Sequence, residues 1–374
     1  MKITAIESLV MFGQYHFVRV HTDDGISGLG EIGSRETATT DPLVRKGLAP
    51  LLIGQNPFDI ERLWHAMLHR GYKLGPSGGL LEAMAGLDIA LWDIVGQAAE
   101  RPLCDLLGGR YRSKLMVYAS SNRRDLSPED EAERAASFRD QGYPAYKIHS
   151  FVRWMYDDGA SQSQDHTVET VRAIRNRVGD GFDILVDVTN AYLPHTALRV
   201  ARELEELRAW HLEEPIADYD LAGYAQLAAA ADIAIAAGEN CYTRWQFRDL
   251  ILVGQVDILQ PDVIKCGGIS EFRKIAALAQ TFNKPITVHN TQPTVGTVAH
   301  MHLWASVSSC IYPQEYSIEP HPLRDRWPIL DEQPVVRDGA LELGNRPGLG
   351  VSLDEDVLQR LVERGYAVVT TAVD

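Results

Sequence analysis

The chain reads as an α/β protein in which a β/α barrel follows a smaller α+β domain. Two observations predict this. From Tyr111 onward, strand-like and helix-like segments alternate regularly, as parallel strands joined by crossover helices require. Within that alternation Asp187 (DILVDVTN), Glu213 (AWHLEEP) and Glu239 (IAIAAGEN) close three consecutive strand-like segments at a constant interval of 26 residues. A strand, a loop, a helix and a return loop occupy roughly that length, so equal phase puts the three carboxylates at the same end of neighbouring strands.

Taken in order, Met1 to about Gly33 is strand-like, with ITAIESLVMF and HFVRVHTDDGISGLGEI and a hairpin marked by Asp24-Gly25. Apolar residues then recur at helical spacing over Pro42 to Ile53, Pro57 to His69 and Leu80 to Ala99, the last ending near Arg101-Pro102. Residues 1–112 thus form an α+β domain. Residues 113–321 hold the candidate strands LMVYAS, AYKIHS, DILVDV, AWHLEE, IAIAAGE, DILQPD, PITVHN and IYPQEYS, with helical stretches between them. One crossover shows the local logic: Ser127 caps a helix, Pro128 takes its first position and Gly142 ends it. In residues 322–374 proline-rich turns break the alternation, and the tail is expected to return to the first domain.

Composition excludes several functions. With 374 residues, 45% hydrophobic and 23% charged, the chain has length for a large core and two domains. A net charge of −15 without any Lys/Arg run argues against nucleic acid or an anionic membrane as partner. A small anionic substrate then needs local positive charge. Cys104, Cys241, Cys266 and Cys310 are far apart with no CxxC pair, which suits buried thiols in a reducing compartment. The N-terminus has no sustained apolar stretch with a cleavage site, and no window reaches 18 apolar residues, so a cytoplasmic location is expected.

Three carboxylates converging on one point repel each other unless a cation lies between them, and hard oxygen ligands suit Mg²⁺, one per subunit. Other polar residues fall at the same strand ends. In AYKIHS, Lys147 and His149 are two apart, so strand geometry turns both into the barrel mouth. Asp262 (QPDVIK) and His289 (ITVHN) end neighbouring strands. A carboxylate beside an imidazole fixes its tautomer and raises its basicity, which makes a general base usable near neutral pH. Glu315 closes strand eight.

The run AMAGLDIALWDIVGQAAERPLCDLLGG (Ala83 to Gly109), with the Asp187, Glu213, Glu239 series and the Asp262/His289 pair, resembles the mandelate racemase subgroup of the enolase superfamily over nearly the whole chain. The resemblance implies a modified (β/α)7β TIM-like barrel, with a capping domain built from the N-terminal region and the returning tail. It implies that Asp187, Glu213 and Glu239 bind Mg²⁺, that Asp262 and His289 form the base dyad, and that Glu315 donates a hydrogen bond to the substrate carboxylate. Glu214 is expected to point away from the metal by strand alternation.

Removing a proton beside a carboxylate makes an enediolate, which needs positive charge already in place. Mg²⁺ and Lys147 would supply it, a protonated Glu315 would donate a hydrogen bond, and His289 would take the α-proton. If a β-hydroxyl is present, the imidazolium can protonate it, and the product is a 2-keto-3-deoxy acid. Racemases of this subgroup carry Lys-x-Lys on strand two, whereas this chain has Lys147-Ile148-His149. Loss of the second Lys favours an acid-sugar dehydratase over a racemase or epimerase using His149 or Lys147 as the opposed base. A non-catalytic binding protein is the reading from another class. The family often has Asn two residues after its first metal ligand; this chain has Thr189 and then Asn190, a candidate substrate contact.

Specificity is expected from the cap. Tyr15, His16, Arg35, Tyr72 and Lys73 are candidates there, with Arg153 and Trp154 after strand two as contacts for the far end of a polyol. Gly28 to Gly33 literally matches GxGxxG but continues a hairpin, so it is a chance match. His300 and His302 lie on different faces of a helix and are read as packing. The expected partners are a small sugar-acid anion and copies of the chain itself, in a dimer or octamer.

Overall fold

The computed structural model describes residues 1–33, 35–149 and 165–372. Its first sheet is antiparallel, in the order β12-β1-β2-β3, with β1 Ile3–Met11, β2 Tyr15–Thr22, β3 Ser27–Ile32 and β12 Ala367–Ala372. The tail does return: β12 pairs with β1 along Ile6↔Ala372 to Met11↔Ala367. The hairpin turns at Gly25, where φ is +80°.

Across β3 lies the 20-residue helix Gly79–Ala98, buried along most of its length. The close approach depends on glycine. A Cβ on Gly30 would lie 1.9 Å from the Gly86 carbonyl oxygen, and one on Gly28 would lie 2.0 Å from that of Ala90. The GxGxxG string is therefore a packing device between strand and helix, not a nucleotide loop.

The second sheet is parallel and runs β10-β4-β5-β6-β7-β8-β9, with β4 Lys114–Ser120, β5 Ala145–His149, β6 Asp183–Asp187, β7 His211–Glu213, β8 Ala234–Ala237, β9 Ile258–Leu259 and β10 Gln314–Ser317. A short strand, β11 (Ala340–Glu342), adds antiparallel to β4. The predicted strand PITVHN contributes a single bridge, Leu259↔Ile286. Between it and β10 the described residues show side-chain bridges instead of a ladder. The Gln314 amide accepts from Val288 N–H (2.9 Å) and donates to the Ile286 carbonyl (3.1 Å), and Asn290 Nδ2 donates to the Glu315 carbonyl (3.0 Å). Gln314 thus replaces backbone partners across the seam of the barrel.

The crossover helix Pro128–Asp140 has the predicted cap, Ser127 Oγ accepting from Asp130 N–H at 3.1 Å, with Gly142 at φ +89° beyond it. Buried groups of the cap grip barrel helices at their N-termini. Glu31 accepts from Thr294 Oγ1 (2.8 Å) and Gly296 N–H (2.7 Å) at the start of helix Val295–Ser306. Asp88 accepts from Ser270 N–H (2.9 Å) and Oγ (2.6 Å) at the start of helix Ile269–Thr281. Both places favour a carboxylate through unpaired N–H groups and the helix dipole. His300 accepts from Val263 N–H while His302 accepts from Cys104 N–H, so the two histidines do pack on different faces. All four cysteines are free thiols. Among the described residues no helix is long and apolar enough to cross a membrane.

Candidate active site

The parallel register sets the floor of the site. His149 stands opposite Asp187 across the β5–β6 ladder, and Asp187 opposite Glu213 across β6–β7. Glu239 follows two residues after the end of β8. Asp187, Glu213 and Glu239 each offer an oxygen, and these lie within 4.8 Å of one another. After Asp187 the chain turns sharply through Thr189 (φ +48°) and Asn190 (φ +59°), and Glu214 is also left-handed at +43°. Three non-glycine residues in that region beside one carboxylate cluster are the local strain expected of a functional site.

The electrostatics fit a divalent cation. Glu213 is fully buried, and burial together with Asp187, Glu315 and Glu239 pushes its carboxyl up to about 8 in spite of Lys147. Negative charge is therefore crowded here beyond what one lysine offsets. The Lys147 Nζ lies 2.8 Å from Glu213 Oε1, 2.7 Å from Glu315 Oε1 and 3.6 Å from Asp187. Three carboxylates from three neighbouring staves form a ligand set for a hard divalent ion.

Opposite stands the imidazole of His289. Its Nδ1 donates to Asp262 Oδ2 at 2.7 Å, which turns Nε2 toward the cluster, 3.4 Å from Glu239. Burial alone would lower this ring, yet Glu239 and Asp262 raise it to about 9; a cation held by Glu239 would offset that carboxylate and lower the ring again. His149 is placed otherwise. Its Nδ1 donates to the Ser121 carbonyl at 2.5 Å and its Nε2 lies 2.9 Å from Asp187 Oδ2. Both of its nitrogens face acceptors, so in this arrangement no lone pair is turned toward a substrate.

Glu315, expected as a donor, is surrounded by donors. It accepts from Ser120 Oγ (2.6 Å), Lys147 Nζ (2.7 Å) and Asn290 N–H (2.7 Å). Burial would raise it, but Lys147 and these bonds hold it down to about 2, so it is an ionised acceptor. Glu214 does point away from the cluster, and accepts from Gly238 N–H at 2.9 Å. With its amide turned so that nitrogen meets both acceptors, Asn190 donates to the Glu214 carboxylate (2.7 Å) and the Ile216 carbonyl (2.6 Å), which ties the turn together.

A cavity of about 300 Å³ opens on His289 and Asp262, between cap and barrel. Arg35 lines it. Tyr15 is buried close by, with its ring 4.6 Å from that of His321. His16 is elsewhere: it is locked inside the cap between Ser8 (2.7 Å) and Thr40 (2.8 Å), because β2 alternation turns it from the mouth. Tyr72 is 75% exposed on a short turn and Lys73 is exposed beside it, and neither lines the cavity. Arg153 and Trp154 lie outside the described residues. The cavity also takes Glu82, Asn240, Tyr242, Lys265 and Gln292, which sequence reasoning missed. Lys265 carries a readable sign, three residues past Asp262 in QPDVIK, and Glu82 another, a lone charge in the apolar run GGLLEAMAG.

Comparison with known proteins finds two family models on this chain: "Mandelate racemase / muconate lactonizing enzyme, N-terminal domain" over residues 4–108 and "Enolase C-terminal domain-like" over residues 130–357. The chain is 31% identical to a D-xylonate dehydratase of Haloferax volcanii, over 97% of this chain and 90% of that one. It is 33% identical to an arabinonate dehydratase of Saccharolobus solfataricus, over 91% and 88%. A mandelate racemase/muconate lactonizing protein of Paracoccus denitrificans, solved with magnesium, superposes with a TM-score of 0.89 at 32% identity, covering 99% of this chain and 98% of that one.

Proposed function

The chain belongs to the mandelate racemase / muconate lactonizing enzyme family of the enolase superfamily, and we propose that it is a Mg²⁺-dependent sugar-acid dehydratase. It would convert a sugar carboxylate to a 2-keto-3-deoxy acid and water. The observation that carries this reading is the asymmetry of the mouth. His289 is oriented by Asp262 with Nε2 turned inward and no nearer than 3.4 Å to Glu239, while His149, where an opposed base would stand, has acceptors at 2.5 and 2.9 Å on its two nitrogens. A racemase needs two bases on opposite faces of one carbon, whereas dehydration needs one. The similarity to proteins named D-xylonate and arabinonate dehydratase supports the same choice.

Held by Asp187, Glu213 and Glu239, Mg²⁺ would act as a Lewis acid on the substrate carboxylate. The remaining work belongs to side chains. Asp262 keeps the proton of His289 on Nδ1, so Nε2 is the atom that takes the α-proton. Lys147 sets a second positive charge against the enediolate, and the carboxylates around it keep it protonated even in full burial. The His289 imidazolium then gives its proton to the β-hydroxyl. The C–O bond breaks, water leaves, and the enol tautomerises to the 2-keto-3-deoxy acid.

The test is turnover of D-xylonate, arabinonates and D-galactonate with Mg²⁺ in D₂O, followed by NMR. A keto acid bearing deuterium at C3 is expected. Epimerised acid without keto product would point to the racemase reading, and no exchange or turnover of any sugar acid would overturn the proposal.

A further inference from the structure

The cavity above His289 carries information about the far end of the substrate. We propose that Glu82 and Gln292 are specificity-determining residues that read distal hydroxyl groups and exclude a second carboxylate, which makes the substrate an aldonic monoacid and not an aldaric diacid. This inference rests on the dehydratase reading and refines it.

Both residues line the cavity that opens on His289 and Asp262. Each is 7% exposed. Glu82 comes from the cap, in the first turn of helix Gly79–Ala98. Tyr242 Oη donates to its Oε1 at 3.0 Å and holds it across the cavity wall. Gln292 comes from the loop after His289, and its Oε1 is a buried acceptor with no hydrogen-bond partner in the protein. A buried acceptor left unpaired is expensive, so a ligand donor is called for there.

The reacting end of the substrate is committed to the barrel, where the metal-ligand carboxylates, Lys147 and His289 lie. What reaches Glu82 and Gln292 is the chain beyond the reacting carbons. Hydroxyl groups can donate to both acceptors. A distal carboxylate has no proton to give, and would lie against the largely desolvated acidic side chain of Glu82. Two cations share the lining: Lys265, whose Nζ donates to Asn240 Oδ1 at 3.2 Å, and Arg35, which is exposed at the rim. Lys265 lies near enough to Asp262 and His289 to act on both, which places it toward the reacting end. Arg35 is the group through which a diacid would gain, so the two outcomes are separable.

The experiment compares matched pairs, galactonate with galactarate and xylonate with xylarate. Turnover by the wild type is measured together with calorimetric binding to His289→Asn, which needs no catalysis. Aldonates should be preferred by ~100-fold or more in kcat/KM and in Kd, since a site whose buried polar groups match one ligand leaves them unmatched with the other. Glu82→Gln keeps an oxygen for Tyr242 and removes the charge, and should shrink that preference by ~10-fold or more. Gln292→Leu should weaken aldonate binding by ~5- to 10-fold, mostly in KM, without helping the diacid. Equal use of both acids, a diacid preference, or an unchanged ratio in folded Glu82→Gln would overturn the inference. If Glu82→Gln fails to fold, an unchanged aldonate affinity in Gln292→Leu would do so. Selective aldonate binding without turnover would instead fault the dehydratase reading and leave the specificity assignment standing.

Discussion

In the proposed reaction two side chains carry the chemistry, His289 as the proton acceptor and Lys147 as the buried cation. His289→Asn should cut keto-acid formation by ~10³-fold or more while leaving the unfolding midpoint within a few degrees, because the ring is a general base and packs little. Lys147→Met should destabilise the metal-free chain by ~3–5 kcal/mol in urea unfolding, because Glu213 and Glu315 lose the ammonium between them. Saturating Mg²⁺ should recover part of that loss. Positions such as Asp187, Glu213 and Glu239 are legible in the sequence because the strand-helix period repeats, and phase alone brings them together. The charge state of Glu315 is not. It depends on Lys147 from β5, Ser120 from β4 and the Asn290 N–H, all brought to it by tertiary structure. Glu82 and Gln292 escape for the same reason, since one comes from the cap and the other from a loop more than two hundred residues away.

At the scale of elements, the contact between β3 and the Gly79–Ala98 helix is the tightest test of the packing. Gly30→Ala places a methyl group 1.9 Å from a backbone oxygen that neither element can move cheaply. It should cost several kcal/mol, on the order of an overpacked core, and calorimetry should show it as a drop in Tm of ~5 °C or more. The strands with strong alternation or long apolar runs, β4 to β8, stand out in the sequence. β9 and the PITVHN segment are weaker: the structure gives them two paired residues and one bridge. Their pattern is strand-like, but Gln314 supplies through its side chain what a ladder would otherwise supply. No periodicity reveals a side chain acting as a backbone partner.

In the whole molecule, cap and barrel are joined by buried carboxylates, and this makes the joint sensitive to pH. Burial raises Glu31 to about 8 against the N–H of Gly296 and the Thr294 hydroxyl, so its folded value lies above its ordinary one. The stability it contributes is then complete below about pH 4.5 and declines as pH rises through about 8, with a slope of at most ~1.4 kcal/mol per pH unit. The difference in unfolding free energy between the wild type and Glu31→Gln should therefore shift against the wild type from pH 5 to 8; a flat difference would contradict it. Beneath that joint, three staves of the barrel present the carboxylates that would grip a divalent ion. The most direct test is a crystal soaked in Mn²⁺ and measured for anomalous scattering. One strong peak per chain, bound by Asp187, Glu213 and Glu239 and lost in Glu213→Gln, is the predicted result. Density at another place, or none between those carboxylates, would contradict it.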